Sequence, residues 1–417
     1  MRHEVVNALE RLEAGDRDIR AFLPEPRRQQ RVLGDFDDAA KQFNDSAPPD
    51  LFGVMIGVKD IINVDGLSTL AGSELPSALF DGPEAAMIRR LRGAGALIAG
   101  KTVTTEFAFS EPGPTRNPRS HAHTPGGSSS GSAAAVAAGL VPIAIGTQTV
   151  DSIITPAAYC DVVGFKPSFG RIPLDGVVPF SPSMDHAGLL AVDVGTVGRG
   201  ASVICDAWSD VKTRPGLVLG VPDLSYVGLA DPEAVSMFEA NLEALRARGY
   251  SIVETSLLSD IDSIRSTHRR LNAAEFAGVH ADWFSRHGHR YRPRTAGLFA
   301  EGVALPESAV REGRESGEAL RRSLEDEMNR HGIAAWISPG ATGPAPLGLD
   351  YIGDPIMAVP WTHAHLPVVA LPAGETSDGL PLGIQLAGRF NEDERLLDLA
   401  ASVEEALRRF AEVTGSP

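Results

Sequence analysis

Charged, polar stretches and short apolar runs alternate along this chain, and the changes between them mark its elements. Residues 1–45 are rich in charge and read as helices. The first change comes at Val54-Met-Ile-Gly-Val-Lys-Asp60, a short apolar run ending in a charged pair, which reads as a strand. Pro83–Gly93 carries apolar residues at helical spacing, and Ala94–Lys101 reads as the strand that follows. Ser132–Ala138 is a helix stopped by Gly139. Val141–Gly146 and Val162–Lys166 read as buried strands. Further on, 216–222 and 250–257 read as strands around a helix at 231–248. Residues 260–285 and 306–330 are long helical stretches. Ala334–Ser338 and Val368–Leu371 are apolar strands, and Glu392–Phe410 is an amphipathic closing helix.

Strands alternating with helices predict an α/β fold whose sheet is covered on both faces. No internal repeat or low-complexity linker breaks the pattern. The expected organisation is therefore an N-terminal helical segment, 1–45, and a single domain, 46–417. The segment is expected to pack on the body or on a second copy of the chain, as in a homodimer.

Composition narrows the classes. A chain of 417 residues that is 43% hydrophobic has ample material for a large core. A net charge of −16, spread along the chain, argues against nucleic acid and anionic membranes as partners. Only Cys160 and Cys205 are present, which argues against a disulfide framework. The start, Met1-Arg-His-Glu-Val-Val-Asn, has no long apolar run. No secretory signal or membrane span is read, so the expected compartment is the cytoplasm.

Candidate chemistry centres on Thr124-Pro-Gly-Gly-Ser-Ser-Ser-Gly-Ser-Ala-Ala-Ala-Val136, a serine-dense loop running into an Ala-rich helix. Such a loop sets hydroxyls beside unpaired backbone N–H groups. Two other pattern matches fail their context tests. Gly95-Ala-Leu-Ile-Ala-Gly-Lys-Thr102 spells a phosphate loop, but here the helix precedes and the spacers are strand-like. Gly127-Ser-Ser-Ser-Gly131 spells a nucleophile elbow, yet polar, Pro-bounded residues stand where a buried strand is required. The pairs His121/His123, His287/His289 and His363/His365 lack a third ligand, so no metal site is assigned to them. Lys59 closes an apolar strand, where desolvation lowers proton affinity and can make a lysine a base.

Gly57-Val-Lys-Asp60, the serine loop and Gly146-Thr-Gln-Thr-Val-Asp-Ser152 together resemble the amidase signature family of serine hydrolases. The closest likeness is to its small bacterial, malonamidase-like members. The resemblance is strongest over 50–200 and returns in Leu371-Pro-Ala-Gly374 and Gly379-Leu-Pro-Leu-Gly-Ile-Gln385. It implies a large twisted mixed sheet sandwiched between helices. It also implies hydrolysis of a small-molecule amide without metal or organic cofactor. Ser152 resembles the nucleophile that forms the acyl-enzyme. Ser128 resembles the bridging serine, on a cis peptide bond, that relays a proton to Lys59. Ser129 and Ser132 would support that relay by hydrogen bonding. The backbone of Thr149, Val150 and Asp151 would supply the oxyanion hole, with Ser129 also among the oxyanion- and substrate-binding residues. Asp60 and Asp185 would hold structure around the site, Lys166 and Arg171 would fasten loops, and His363 and His365 fall where similar amidases line the pocket.

The nucleophile loop departs from the family pattern. Thr-Gly-Gly-Ser is usual there, and this chain has Thr149-Val-Asp-Ser152. Val150 is β-branched and resists positive φ, and Asp151 brings a carboxylate beside a developing oxyanion. Losing one oxyanion donor costs a factor of about 10²–10³ in rate. Ile154 and Thr155 stand where an arginine commonly holds a substrate carboxylate, and Asp161 replaces another usual glycine. One account is an active hydrolase on a small neutral or cationic amide. The alternative is impaired hydrolysis, with acyl transfer, cyclisation or ligand binding instead. The survival of Lys59, Ser128 and Ser152 favours the first.

Overall fold

A computed structural model describes residues 1–43, 47–209 and 217–414, with side chains described up to residue 408. The ends of the segments read at 1–45 and 216–222, and the side chain of Phe410, lie outside the described residues.

Among the described residues, ten strands form one mixed sheet: β1 (Met55–Lys59), β2 (Leu97–Thr102), β3 (Ile143–Gln148), β4 (Val163–Lys166), β5 (His186–Ala191), β6 (Val218–Val221), β7 (Ser251–Glu254), β8 (Ala335–Pro339), β9 (Val368–Glu375) and β10 (Pro381–Ala387). Their spatial order is β2-β1-β3-β5-β4-β9-β10-β8-β6-β7. Pairing is parallel among β2, β1 and β3 and among β8, β6 and β7, and antiparallel between. This is the α/β fold that the sequence pattern predicts and the mixed sheet between helices that the family resemblance implies, with most expected elements within a few residues of their expected ends.

Elements without amphipathic rhythm escape the sequence reading. Strand β5 lies in the middle of the sheet and is buried along its whole length. The helix Ile154–Cys160 is buried on every side despite Pro156. An element apolar all round shows no periodic contrast. The helices Val194–Ile204 and Pro293–Val303 are also additional.

The helices Arg2–Ile19 and Arg28–Gln42 are integral to the packing. Val5, Leu9, Leu12, Val32 and Phe36 are buried in the same apolar cluster as β1, β2 and the C-terminal helix Asp393–Thr414. The link between them lies along the free edge of β2. Leu23 N donates to the Lys101 carbonyl at 2.9 Å, and Val103 N donates to the Ala21 carbonyl at 2.8 Å. An uncovered edge strand invites pairing with other chains, and here the N-terminal segment occupies it. Among the described residues no helix is long and apolar enough to cross a membrane.

Strands β1 and β3 run side by side, with Ile56 opposite Ile143 and Val58 opposite Ile145. Both point the same way, so Lys59 and Thr147-Gln148 reach one end of the sheet together. The serine loop 124–132 crosses that end.

Candidate active site

Lys59 is fully buried, so its amine must find its partners within the protein. Its Nζ lies 2.7 Å from Ser128 Oγ, 3.0 Å from Ser129 Oγ, 2.8 Å from Thr147 Oγ1 and 3.3 Å from the Thr147 carbonyl. All but the Thr147 carbonyl are hydroxyls, able to donate as well as accept, so a neutral amine is accommodated. Burial holds the Lys59 pKa well below 10.5, opposed by the charges of Asp185 and Asp151. Ser129 Oγ donates to the Thr147 carbonyl at 3.1 Å and accepts from Thr147 N at 3.2 Å, which ties the serine loop to β3. The Gly127–Ser128 peptide bond is cis. Ser132 does not join this network: its hydroxyl bonds Thr102 Oγ1 at 2.7 Å and the Ile145 carbonyl at 2.8 Å. It faces β2 and β3 from the next helical turn, too far along to reach Ser128.

Ser152 follows β3 and opens onto a cavity of about 470 Å³ that Thr149, Val150 and Asp151 also line. The carbonyls of this loop are tied. Thr149 O accepts from His268 Nε2 at 3.0 Å, Val150 O from Thr362 Oγ1 at 2.6 Å, Asp151 O from Thr155 N at 3.0 Å and Ser152 O from Ser129 N at 3.2 Å. The Gln148 side chain fastens the far side of the turn. Its Oε1 accepts from Ile153 N at 2.8 Å and Ile154 N at 3.1 Å, and its Nε2 donates to Thr362 Oγ1 at 2.9 Å.

Neither Val150 nor Asp151 is among the residues at positive φ, so the steric objection to Val150 does not apply. Asp161 does take the left-handed region, at φ 60°, where the usual glycine is explained and Asp is tolerated. Burial raises the Asp151 pKa to about 7, while hydrogen bonds from Thr155 and from its own backbone N–H favour the ionised form. At mildly acidic pH this carboxyl is largely a neutral acid, and the charge expected beside an oxyanion appears only above that range.

Asp185 accepts from Thr149 Oγ1 at 2.5 Å, Phe180 N at 2.8 Å and Ser181 N at 3.0 Å. It is pushed up to about 6 by burial. Asp60 pairs with Lys101 at 2.9 Å in the interior, and Lys101 also donates to Thr69 Oγ1 at 3.0 Å. The phosphate-loop lysine is thus half of a buried ion pair on β2. Lys166 donates to the carbonyls of Leu366 at 2.5 Å and Pro167 at 3.1 Å, and Arg171 pairs with Glu394 at 2.7 Å.

His363 and His365 do not line the cavity. His363 lies behind its wall, with Nδ1 3.2 Å from His268 Nδ1, and His365 stacks on Phe169 at 4.5 Å. Among the described residues no group of three His, Cys, Asp or Glu could hold a metal. Several residues absent from the sequence reading line the cavity, among them His268 and Asn272. These two lie four apart on the helix Ile261–His287, hence on one face. Asn272 Oδ1 is buried with no hydrogen-bond partner. Their spacing was legible, but nothing in the sequence distinguishes them from other polar residues of a long helix.

A lysine, two serines and a tethered turn at the end of a mixed sheet point to one family, and the comparisons agree. The Amidase family profile matches residues 5–397. The chain belongs to the amidase family. The A subunit of the glutamyl-tRNA(Gln) amidotransferase of Methanospirillum hungatei is 32% identical over 85% of this chain and 93% of its own. A crystal structure of an amidase superposes with a TM-score of 0.86 at 31% identity, covering 97% of this chain and 95% of that one. The peptide amidase of Stenotrophomonas maltophilia superposes with a TM-score of 0.81 at 25% identity, covering 98% and 93%. The protein is an amidase-type hydrolase of carbon–nitrogen bonds.

Proposed function

We propose that Ser152 is the nucleophile, Ser128 the relay and Lys59 the base. The observation that carries this reading is the 2.7 Å contact between Ser128 Oγ and a fully buried lysine amine. Ser152 Oγ attacks the amide carbonyl as its proton passes to Ser128, while the Ser128 proton passes to neutral Lys59. The tetrahedral oxyanion then collapses. Lys59 returns its proton through Ser128 to the departing nitrogen, leaving an acyl-enzyme that water hydrolyses. Backbone N–H groups of residues 149–152 stabilise the oxyanion. The tied carbonyls of Thr149, Val150 and Asp151 support this for the N–H groups of Val150, Asp151 and Ser152, because a peptide's N–H points opposite to its C=O.

The substrate is a small amide that is neutral or cationic near the scissile bond. Phe109, Phe180, Leu298 and Ile352 offer apolar walls, while Asp151 and the unpartnered Asn272 Oδ1 offer acceptors for an N–H or ammonium. Arginines do stand in the wall, but Arg265 is paired with Asp354 at 3.1 Å and Arg269 with Glu301 at 2.6 Å. Arg294 donates to the Ser110 carbonyl at 2.9 Å. No cation replaces the family's arginine at Ile154 or Thr155. The diffuse acidic charge supports the absence of a direct nucleic-acid or membrane partner, and the buried free thiols Cys160 and Cys205 suit the cytoplasm.

Likeness to the A subunits of amidotransferases over most of the chain favours a second reading, in which released ammonia or the acyl group passes to an acceptor other than water. Intact mass after treatment with a fluorophosphonate, followed by peptide mapping, tests the common core of both. One adduct on Ser152 is expected, and its absence overturns the assignment. Turnover of a panel of neutral, cationic and anionic amides, with and without hydroxylamine as acceptor, separates hydrolysis from transfer.

A further inference from the structure

Behind the nucleophile loop runs a chain of hydrogen bonds that the relay does not use. His268 Nε2 meets the Thr149 carbonyl at 3.0 Å, His268 Nδ1 meets His363 Nδ1 at 3.2 Å, and His363 Nε2 meets Ser316 Oγ at 3.1 Å. Both histidines are buried, and Ser316 sits half-buried in an open groove between the helices Ile261–His287 and Ser308–His331. Gly317 makes the close approach possible, because a β-carbon there would press into the His363 carbonyl oxygen.

The direction of every bond follows from one end. A carbonyl only accepts, so the proton lies on His268 Nε2. A neutral imidazole carries a single N–H, so His268 Nδ1 is bare and accepts from His363 Nδ1–H. His363 Nε2 is then bare and accepts from the Ser316 hydroxyl. Burial keeps both rings neutral: it lowers His268 well below its ordinary value and His363 to about 4. Three donors therefore point one way and converge on a single peptide, Thr149–Val150. Hydrogen bonds in such a chain strengthen one another. A carbonyl that accepts a strong bond makes the N–H of its own peptide a better donor, and that N–H belongs to Val150.

We propose that His268, backed by His363 and Ser316, is a positioning residue for hydrolysis, which orients and polarises the Thr149–Val150 peptide so that Val150 N–H stabilises the oxyanion. This rests on the reading that the backbone of 149–152 holds the oxyanion. It also accounts for how a loop without the family's glycines keeps one orientation: the peptide is held from outside by an imidazole.

The test uses a fluorophosphonate, whose phosphoryl oxygen occupies the oxyanion position as Ser152 is phosphonylated. Saturation kinetics separate its dissociation constant from its limiting rate. His268→Leu is expected to lower the limiting rate about ten- to hundredfold, less than or near the loss of a whole donor, with the dissociation constant within about twofold of the parent. His268→Gln, whose amide N–H reaches as far as Nε2, is expected to recover most of the rate. His363→Leu removes only the second link and is expected to cost a few-fold. If His268→Leu does not fold, His268→Met, closer in volume and likewise without a donor, is compared with His268→Gln by unfolding temperature and rate. A folded His268→Leu or His268→Met that labels at the parental rate overturns the proposal. Equal losses in His268→Gln and the donor-free variants do the same, because they reduce the effect to packing. A parent without any Ser152 adduct removes the underlying reading and this proposal together, whereas a labelled parent with an insensitive His268 removes this proposal alone.

Discussion

Lys59 shows how one residue's surroundings set its chemistry. In water an amine stays charged to a pH near 10.5; buried among three hydroxyls and a carbonyl, it loses its proton more readily. Ser152→Ala is expected to abolish turnover, and Lys59→Ala to lower kcat about a thousandfold or more, with the double variant no worse than Ser152→Ala because the groups act as a unit. Steady-state kinetics on a turned-over amide check this, and near-parental activity in Lys59→Ala would discard the relay. The same shift predicts pH dependence. Under the proposed relay the free enzyme needs neutral Lys59, so kcat/KM is expected to rise with pH as that group deprotonates. Asp151, raised to about 7, ionises in the same direction and sets a negative charge beside the oxyanion. Asp151→Asn should therefore continue to gain activity above neutral pH where the parent levels off. A parental profile that falls from acid to neutral pH, with Asp151→Asn falling alike, contradicts both assignments. Stability carries the opposite signs for the two groups. The folded chain sheds the Lys59 proton before the unfolded chain does, which favours folding as pH rises towards 10.5. It keeps the Asp151 proton that the unfolded chain releases near 3.8, which disfavours folding as pH rises from there to about 7. Lys59, Ser128 and Ser152 were legible because their contexts are local: a strand end, a glycine-serine loop, a turn after a strand. His268 and Asn272 were not, since only the packing of a long helix onto the nucleophile loop gives them a role.

Elements decide which spelled motifs carry chemistry. Gly100-Lys-Thr102 ends β2, and Lys101 points into the protein at Asp60 instead of cradling a phosphate. Each partner's burial is opposed by the other's charge. Removing one half of a buried pair leaves the other uncompensated, which costs about 3–5 kcal/mol. Lys101→Met is thus expected to lower unfolding free energy by about 3 kcal/mol in urea titration, while adding ATP leaves the parent's unfolding midpoint unchanged. A nucleotide-dependent rise in that midpoint would revive the phosphate loop. Most elements that sequence reading captured have contrast along the chain, such as the flanking helices and the apolar strands bounded by polar turns, while the buried Ala-rich helix Ser130–Ala137 was found from its stop at Gly139. Strand β5 and the helix Ile154–Cys160 have no polar face to mark their period, because each is covered on all sides. The latter begins two residues after Ser152, so a helix illegible in the sequence is the one that follows the candidate nucleophile's turn.

At the scale of the molecule, the question is whether residues 1–45 are an appendage or part of the body. Their position on the sheet edge argues for the body. Leu23 bonds Lys101, Val103 bonds Ala21, and Arg31 Nη1 donates to the Ile98 carbonyl at 2.9 Å, so backbone groups of β2 find partners in the N-terminal segment. Leu9, Leu12 and Val32 add fully buried apolar side chains to the same core, each contributing about 1.5–3 kcal/mol by leaving water. Deleting the segment removes several such contributions at once, together comparable to the about 5–15 kcal/mol by which a domain is ordinarily stable. It also bares β2, which sits next to β1 and therefore next to Lys59. A chain of residues 46–417 is expected to be recovered as aggregate or as a species without a cooperative thermal transition, and without fluorophosphonate labelling. Calorimetry and size-exclusion chromatography of the truncated and full chains check this. A truncated chain that is monodisperse, melts cooperatively and still labels at Ser152 would make the segment a separable attachment and leave its packing on the edge without a structural purpose. The intermediate result, a folded truncation that self-associates, would instead show the bared edge of β2 pairing with another copy, which the N-terminal segment otherwise prevents.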